Sequence, residues 1–207
     1  MEKGDPRQLY QRLIEQHGPT PRGVGWADYE EQWLRFQVMM EMVRRADVQP
    51  RNLLDVGCGY GELVEWLSQR FQVYMSHADY QQLMYLGVDS NPLAIQAAVA
   101  RYGILDALPD GNPSPAFMNV DVTAIPVREP RWDVVWGSGV LSYTEMPRKL
   151  EILKAMWDFT GQALVFNIRG HETYIADLTF ILAAFKSERW AIRHDYKLDE
   201  TTVLVLR

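Results

Sequence analysis

Short apolar runs alternate along this chain with segments in which apolar residues recur every three or four positions. The runs predict strands, and the recurring positions predict helices. Between the first two predicted strands, for example, Leu63, Trp66, Leu67 and Phe71 lie at helical spacing. The predicted strands are Asn52–Val56, Tyr85–Asp89, Ala116–Val120, Trp132–Trp136, Ala163–Ile168, Trp190–His194 and Thr202–Leu206. Strands that alternate with helices in this way indicate an α/β fold with a parallel sheet.

Capping residues mark where several helices begin. Asn91 and Pro92 form an N-cap followed by a first-turn proline, which opens a helix that runs to Tyr102. Another helix is predicted to begin after the cap Asp28. The remaining predicted helices are Pro6–His17, Pro147–Phe159 and Glu172–Lys186.

The residues before the first strand form a separate helical segment. In the helix after Asp28, an apolar stripe of Trp33, Phe36, Met40 and Val43 is expected to pack on the sheet edge. We therefore divide the chain into an N-terminal helical extension, residues 1–48, which could act as a lid, and one compact domain, residues 49–207.

Composition narrows the class of protein. Hydrophobic residues make up 47% and charged residues 23% of the 207 residues, an ordinary globular balance. The apolar runs are far shorter than the ~20 residues of a membrane span, and the charged start MEKGDPRQLY has no apolar signal core. We expect a cytoplasmic protein that does not insert into membranes. A net charge of -6 makes a nucleic-acid partner unlikely on electrostatic grounds.

The single cysteine, Cys58, excludes an intrachain disulfide and a cysteine-rich zinc site. It lies inside a glycine-rich turn, where a small packed residue fits, and we interpret it as a packing residue. The four histidines have no partners at metal-ligand spacing, so no metal site is predicted.

The stretch LLDVGCGYGEL, residues 53–63, is the most informative motif. Its glycines at 57, 59 and 61 permit positive φ and a close approach of backbone to ligand. The helix that begins near Gly61 is expected to direct free N–H groups at that ligand. The G-x-G-x-G spacing differs from the G-x-G-x-x-G of dinucleotide folds. The next acidic strand end, Asp89, comes 28 residues after Gly61, where those folds expect roughly 20.

This motif closely resembles the first motif of the class I S-adenosylmethionine-dependent methyltransferases. The resemblance implies a Rossmann-like sheet of seven strands flanked by helices, mostly parallel, in which the last two strands form a hairpin and the last is antiparallel. It also implies S-adenosyl-L-methionine as the cofactor. The segment Phe71–Met84 is longer than the resemblance implies, and we assign it no structure.

A second resemblance lies in HGPTPRGVGWADYEEQWLRF, residues 17–36. With Gly25-Trp26, Gln32 and Arg35-Phe36, this stretch resembles the N-terminus of a group of small, stand-alone bacterial and phage methyltransferases.

The family resemblance assigns the methionine and ribose ends of the cofactor to two strand ends. Asp55 would attract the cofactor's ammonium, and the backbone at Gly57, Gly59 and Gly61 would surround its methionine end. Asp89, followed by Ser90, would accept hydrogen bonds from the ribose hydroxyls.

The adenine and the reacting centre fall at the next two strand ends. Asp121 would accept a hydrogen bond from the adenine amino group, and the Val122 N–H would bind a ring nitrogen. Gly137 and Ser138 begin the loop GSGVLSYTE, which in the resemblance divides the cofactor from the methyl acceptor.

Candidates for catalysis follow the fourth and fifth predicted strands. Tyr143 and Glu145 follow the fourth strand, and Arg169 and His171 follow the fifth. His171 could deprotonate an acceptor because its ordinary pKa lies near neutrality, or it could simply cap the next helix. Arg169 could bind an acceptor carboxylate or phosphate, or pair on the surface.

Aromatic side chains near the reacting sulfur are further candidates. Tyr10, Trp26 and Tyr60 could offer cation–π attraction to a sulfonium. Tyr10 and Trp26 are also the candidates for contact with the acceptor.

These observations favour transfer of a methyl group to an O or N atom of an unidentified small-molecule acceptor. A protein or RNA acceptor stays open. The alternatives are a non-catalytic S-adenosylmethionine-binding module, an aminopropyl transferase and a nicotinamide-dependent oxidoreductase. Product formation separates the first from an enzyme, and NAD binding would identify the last.

Overall fold

Seven strands form one sheet in the order β3-β2-β1-β4-β5-β7-β6. The computed structural model describes residues 6–102, 115–126, 131–142, 144–169, 174–185, 187, 189–196 and 200–207. The strands are β1 (Asn52–Val56), β2 (Met84–Asp89), β3 (Ala116–Asn119), β4 (Trp132–Gly137), β5 (Thr160–Arg169), β6 (Trp190–Arg193) and β7 (Glu200–Leu206). Among these described strands only β7 runs antiparallel to its neighbours, pairing with β5 and β6. The predicted sheet, with its C-terminal hairpin, is confirmed.

Helices cover both faces of this sheet. They are α1 (Pro6–His17), α2 (Tyr29–Arg45), α3 (Glu62–Tyr74), α4 (His77–Gln82), α5 (Pro92–Tyr102), α6 (Met146–Phe159) and α7 (Tyr174–Phe185), with short 3₁₀ helices at Pro21–Val24 and Val122–Ala124. The predicted bounds of α1 and α5 are confirmed, and Asp28 caps α2 by accepting a hydrogen bond from the Glu31 N–H.

The segment that the sequence left unassigned, Phe71–Met84, completes α3 and adds α4. The Ser76 side chain caps α4 by accepting a hydrogen bond from the Asp79 N–H at 3.1 Å. The Tyr80 ring stacks on Phe71 with a centroid separation of 4.2 Å. A local cap and ring contacts of Tyr80 and His77 with Phe71 therefore fold this insertion back onto α3.

The apolar stripe of α2 packs on a face of the sheet, not on its edge as expected. Phe36 and Met39 belong to one core cluster with Trp136 of β4 and Leu204 of β7. These strands are interior strands. The reason is the breadth of the helix face: Val38, Met39 and Met42 are buried as well, so α2 has more apolar surface than an edge could cover.

A buried glutamate ties α2 to two other helices. Glu62 follows the glycine turn, and its carboxylate accepts hydrogen bonds from Trp33 Nε1 at 2.9 Å and from Arg101 of α5 at 2.7 Å. Because these bonds use both oxygens of a nearly inaccessible carboxylate, they fix α2, α3 and α5 around the carboxyl end of β1.

None of the described helices has the length and apolar character needed to cross a membrane.

Candidate active site

One cavity of about 660 Å³ lies where the carboxyl ends of β1, β2 and β4 meet the N-terminal segment. Such ends of parallel strands are where open α/β sheets bind ligands. Ten of the predicted site residues line it, namely Tyr10, Trp26, Asp55, Gly57, Gly59, Asp89, Ser90, Asp121, Val122 and Ser138. Gly61, Gly137 and Glu145 are not among the lining residues.

The glycine turn uses its backbone donors within the protein. Gly57 and Cys58 donate to the Val88 carbonyl, at 2.8 and 3.1 Å, and Gly61 donates to the Cys58 carbonyl at 3.0 Å. Gly57, Gly59 and Gly61 all have positive φ. Closing the turn therefore takes up these three N–H groups, which precede the helix that begins at Glu62.

All three glycines of the turn lie close to side chains, and a Cβ on Gly57 would lie 2.9 Å from Val140. A Cβ on Gly59 would lie 3.1 Å from Val24, so the turn is in contact with the N-terminal segment. A Cβ on Gly61 would lie 2.9 Å from ring atoms of both Phe117 and Tyr102, so Gly61 lies among packed rings behind the cavity.

The Asp55 carboxylate is buried at the end of β1 and is oriented by a tyrosine. The Tyr85 hydroxyl donates to Asp55 Oδ2 at 2.6 Å. Burial raises the pKa of Asp55 to about 7; the hydrogen bond from Tyr85 acts to lower it, and the nearby charge of Asp89 acts to raise it. A ligand cation beside Asp55 would favour its ionised form.

Asp89 closes the glycine turn from β2. Its Oδ2 accepts from the Gly59 N–H at 3.0 Å, and its Oδ1 accepts from the Asn91 N–H at 2.8 Å. Burial raises the pKa of Asp89, while these two bonds act against that shift. Since each carboxylate oxygen accepts up to two hydrogen bonds, the fixed carboxylate can still receive a pair of hydroxyl donors.

Asp121 is held by Thr123 and by an arginine that the sequence did not point to. Asp121 Oδ1 accepts from the Thr123 N–H and hydroxyl, at 3.0 and 2.8 Å, and Oδ2 pairs with Arg148 of α6. Burial acts to raise the pKa of Asp121, but the bonds from Thr123 and the charge of Arg148 bring it below its usual value. Asp121 is therefore an ionised acceptor on the cavity wall.

The loop after β4 is clamped on both sides. The Gly139 N–H donates to Oδ1 of the buried Asn167 at 2.7 Å. On the other side, a Cβ on Gly139 would lie only 2.6 Å from the indole of Trp26. The Ser138 hydroxyl is buried and has no hydrogen-bond partner in the described part of the chain, so it can serve a ligand in the cavity.

Trp26 is itself fixed from behind. The guanidinium of Arg35 lies 3.9 Å from the centroid of the indole ring. Arg35 is wholly buried and is ion-paired with Glu200 of β7 and, at 3.3 Å, with Glu31. One face of Trp26 is thus already occupied by a protein cation.

Tyr60, the third aromatic candidate, is buried and does not line the cavity. Its hydroxyl donates to Oε1 of Gln32 at 3.2 Å, and Gln32 does line the cavity.

Of the candidates for acid–base chemistry, the structure describes the side chain of Glu145 alone. Tyr143 and His171 lie outside the described residues. Arg169 ends β5, and nothing is described of its side chain. Glu145 is the exposed N-cap of α6, and its side chain makes no capping hydrogen bond.

Two other predictions concern nucleophiles and metals. Burial raises the pKa of the Cys58 thiol well above its usual range, which suits the packing role. Across the described ranges, His, Cys, Asp and Glu side chains form no group of three that could hold a metal ion.

Several site residues were missed by the sequence analysis: Tyr85, Arg148, Asn167, and Gln32 as a cavity residue. None of them had a usable local signal. Tyr85, for example, pairs with Leu53 across β1 and β2, and it is this register that puts it one diagonal step from Asp55 on the same face.

The residues present fit S-adenosylmethionine. Acidic acceptors lie at three successive strand ends around one cavity. The glycine turn beside them is packed so closely that a Cβ on any of its three glycines would contact a neighbouring side chain. A methyltransferase domain family matches residues 54–160, more than half of the chain, and the chain belongs to that family. The protein is an S-adenosylmethionine-dependent methyltransferase, and the oxidoreductase alternative is set aside.

Solved structures with this fold support the same architecture. Magnesium protoporphyrin IX methyltransferase ChlM from Synechocystis PCC 6803, with bound SAM, aligns at a TM-score of 0.65 and 16% identity, covering 98% of this chain and 97% of that one. The N-methyltransferase NodS from Bradyrhizobium japonicum WM9 aligns at 0.64 and 13% identity, covering 97% of each chain. The plantazolicin methyltransferase BpumL aligns at 0.62 and 15% identity, covering 97% and 95%. No curated protein sequence matches the chain significantly.

Proposed function

We propose that this enzyme transfers the methyl group to an O or N atom of a small-molecule acceptor held between the loop after β4 and the N-terminal segment. One observation carries the proposal: the three acidic strand ends and the N-terminal residues Tyr10 and Trp26 line the same cavity. Its volume of about 660 Å³ lies within the range of ~300–1,000 Å³ that is typical of small-molecule sites.

In this proposal the cofactor lies along the strand ends. Asp55 pairs with its ammonium, and Asp89 with Ser90 receives the ribose hydroxyls. Asp121 accepts from the adenine amino group, and the Val122 N–H meets a ring nitrogen. Gly57 and Gly59 allow the close approach of the methionine end. Gly61 and Gly137 support this geometry from behind, since a Cβ on Gly137 would lie 2.6 Å from Met156.

The N-terminal segment forms the acceptor side. We propose that α1 and the 3₁₀ helix Pro21–Val24 are the part of residues 1–48 that covers the acceptor, while α2 belongs to the core of residues 49–207. Tyr10 and Trp26 would contact the acceptor, and Arg169 would bind an anionic group on it. Two of the solved neighbours are methyltransferases of magnesium protoporphyrin IX and of plantazolicin, which supports a substrate other than nucleic acid.

S-adenosylmethionine supplies an electrophilic methyl group on a sulfonium. The chain's own contribution is to hold the acceptor atom in line and to exclude water, and positioning of this kind is worth up to ~7–11 kcal/mol of a barrier. A general base is needed only if the acceptor is protonated at working pH. Tyr143, Glu145 and His171 stay predictions for that role. A cytoplasmic site of action is part of the same proposal.

The test is to incubate the enzyme with methyl-tritiated S-adenosylmethionine and a cell extract separated by size. We expect label in the low-mass fraction, and mass spectrometry of the labelled compound then identifies the methylated atom. An Asp89→Ala variant is the control, since it should lose cofactor binding and all transfer. Label in the protein or RNA fraction would contradict the small-molecule acceptor.

A further inference from the structure

Gln32 is a buried amide in the wall of the cavity, and Tyr60 fixes its orientation. Gln32 is 5% exposed and lines the cavity from α2. The Tyr60 hydroxyl donates to its Oε1 at 3.2 Å. The Gln32 amide nitrogen makes no hydrogen bond to the described residues. It is also not one of the fully buried side-chain atoms that lack a partner. Its N–H groups therefore stay available to a ligand.

A ligand that carries an ammonium beside Asp55 and a carboxylate next to it needs donors for that carboxylate. The glycine turn offers few, because the N–H groups of Gly57, Cys58 and Gly61 bond to backbone carbonyls and that of Gly59 bonds to Asp89.

Two arginines near the cavity have other partners. Arg148 is paired with Asp121, the last of the three acidic strand ends. Arg35 lies behind Trp26 in an ion pair with Glu200. Gln32 is thus a polar side chain on this wall whose amide donors are not used by the described residues.

We propose that Gln32 donates its amide N–H to the carboxylate of the cofactor's amino-acid end, and that Tyr60 is a positioning residue for that amide. Asp55 and Gln32 then form a matched pair, an acceptor for the ammonium and a donor for the carboxylate. The inference rests on the proposed placement of the methionine end beside Asp55.

The test compares two ligands by titration calorimetry. S-adenosylhomocysteine carries both the ammonium and the carboxylate, whereas its decarboxylated form, S-adenosyl-3-thiopropylamine, keeps only the ammonium. The variants are Gln32→Leu, Gln32→Glu and Tyr60→Phe. Gln37→Leu is the matched control, since Gln37 is exposed on the same helix and its side chain, among the described residues, donates only to Glu41.

We expect Gln32→Leu to weaken the binding of S-adenosylhomocysteine by about tenfold or more, the size of a lost hydrogen bond to a charged group. The affinity for the decarboxylated ligand should stay within about twofold of the wild-type value. Gln32→Glu should weaken the binding of S-adenosylhomocysteine further, because the new carboxylate repels the ligand's carboxylate. The binding of the decarboxylated ligand should be unchanged or tighter, because the new carboxylate attracts its ammonium. Tyr60→Phe should weaken only the binding of S-adenosylhomocysteine, by several-fold. Gln37→Leu should change neither.

Partial unfolding of a variant cannot imitate this result, because a reduced folded fraction lowers both apparent affinities by the same factor. An equal loss for both ligands in Gln32→Leu and Gln32→Glu would overturn the proposal, as would no loss for either. A wild-type protein that binds neither ligand, or an Asp55→Asn variant that keeps full affinity for both, would instead overturn the proposed function on which the inference rests.

Discussion

The hydroxyl of Tyr85 donates a 2.6 Å hydrogen bond to Oδ2 of Asp55, at the point where β1 leads into the glycine turn. Both side chains are buried, and Asp89 is close enough for its charge to raise the pKa of Asp55. The bond therefore fixes the carboxylate and favours its ionised form in a site that otherwise disfavours charge.

Cofactor affinity should fall as pH drops through 7. The pKa of Asp55 is raised to about 7, so below that pH the residue binds a proton and loses its attraction for an ammonium. We expect the dissociation constant of S-adenosylhomocysteine to rise by about tenfold for each pH unit below the midpoint. Calorimetric titrations between about pH 5.5 and 8.5 measure this.

The Tyr85→Phe variant should move that midpoint upward, because the lost hydrogen bond is the contribution that lowers the pKa of Asp55. Tyr29→Phe, which removes a hydroxyl from a ring that is 46% exposed, is the control and should leave the profile unchanged. A flat affinity profile, or equal midpoints for wild type and Tyr85→Phe, would rule out this role for the pair.

Recognition of adenine should depend on Asp121. Its pKa is lowered, so it is ionised across the assay range and can only accept hydrogen bonds. The wild-type protein should therefore prefer S-adenosylhomocysteine over S-inosylhomocysteine, whose base has an oxygen in place of the amino group, by about tenfold or more.

Asp121→Asn should remove most of that preference, because the amide presents a donor as well as an acceptor. Glu151→Gln is the control: Glu151 is largely exposed and also pairs with Arg148, so the change loosens Arg148 without altering Asp121. An unchanged preference in Asp121→Asn would show that the base is read elsewhere.

The sheet was predictable because its signals are local. Apolar runs, capping residues such as Asp28 and the glycine turn each act within a few residues, and together they define the strand ends at which Asp55 and Asp89 lie. The face covered by α2 was not predictable from its four-residue stripe, because three further buried positions broaden its apolar surface.

The partners of the acidic residues depend on contacts that the sequence does not encode locally. Tyr85 reaches Asp55 only through the β1–β2 register. Arg148 reaches Asp121 because α6 packs on the 3₁₀ helix Val122–Ala124. In both cases the chain order separates residues that folding brings together.

Gly139 should tolerate no side chain. Its φ is +80°, and a Cβ would lie 2.6 Å from Trp26. Gly139→Ala combines backbone strain with overpacking and should lower the free energy of unfolding by ~2–4 kcal/mol. Urea denaturation followed by circular dichroism measures the change.

Gly18→Ala is the matched control, since Gly18 also has positive φ, +65°, but no atom of the described residues lies within 4 Å of its Cβ position. In that variant only the backbone strain at positive φ should lower the free energy of unfolding, by ~1 kcal/mol. If Trp26 causes the difference, Trp26→Phe should recover part of it in the Gly139→Ala background. An equal loss of unfolding free energy at both glycines would contradict the close contact between residue 139 and Trp26.

Removing one partner of the buried ion pair between Arg35 and Glu200 should lower the free energy of unfolding far more than replacing both partners with apolar residues. Arg35→Met leaves Glu200 as an unpaired buried charge and should cost ~3–5 kcal/mol of unfolding free energy. The double variant Arg35→Met/Glu200→Leu removes both charges and should recover most of that loss. Methionine can still pack on the Trp26 ring that Arg35 now covers.

Arg193→Met is the comparison, because Arg193 also pairs with a glutamate, Glu41 at 3.1 Å, but both side chains are about one quarter exposed. Water screens that pair, so its loss should cost ~1 kcal/mol or less. Urea denaturation of the three variants and the wild-type protein at low and at high salt completes the test, since salt should weaken the exposed pair and leave the buried one unchanged. A double variant no more stable than Arg35→Met alone would mean that Arg35 contributes through packing on Trp26 and not through its charge.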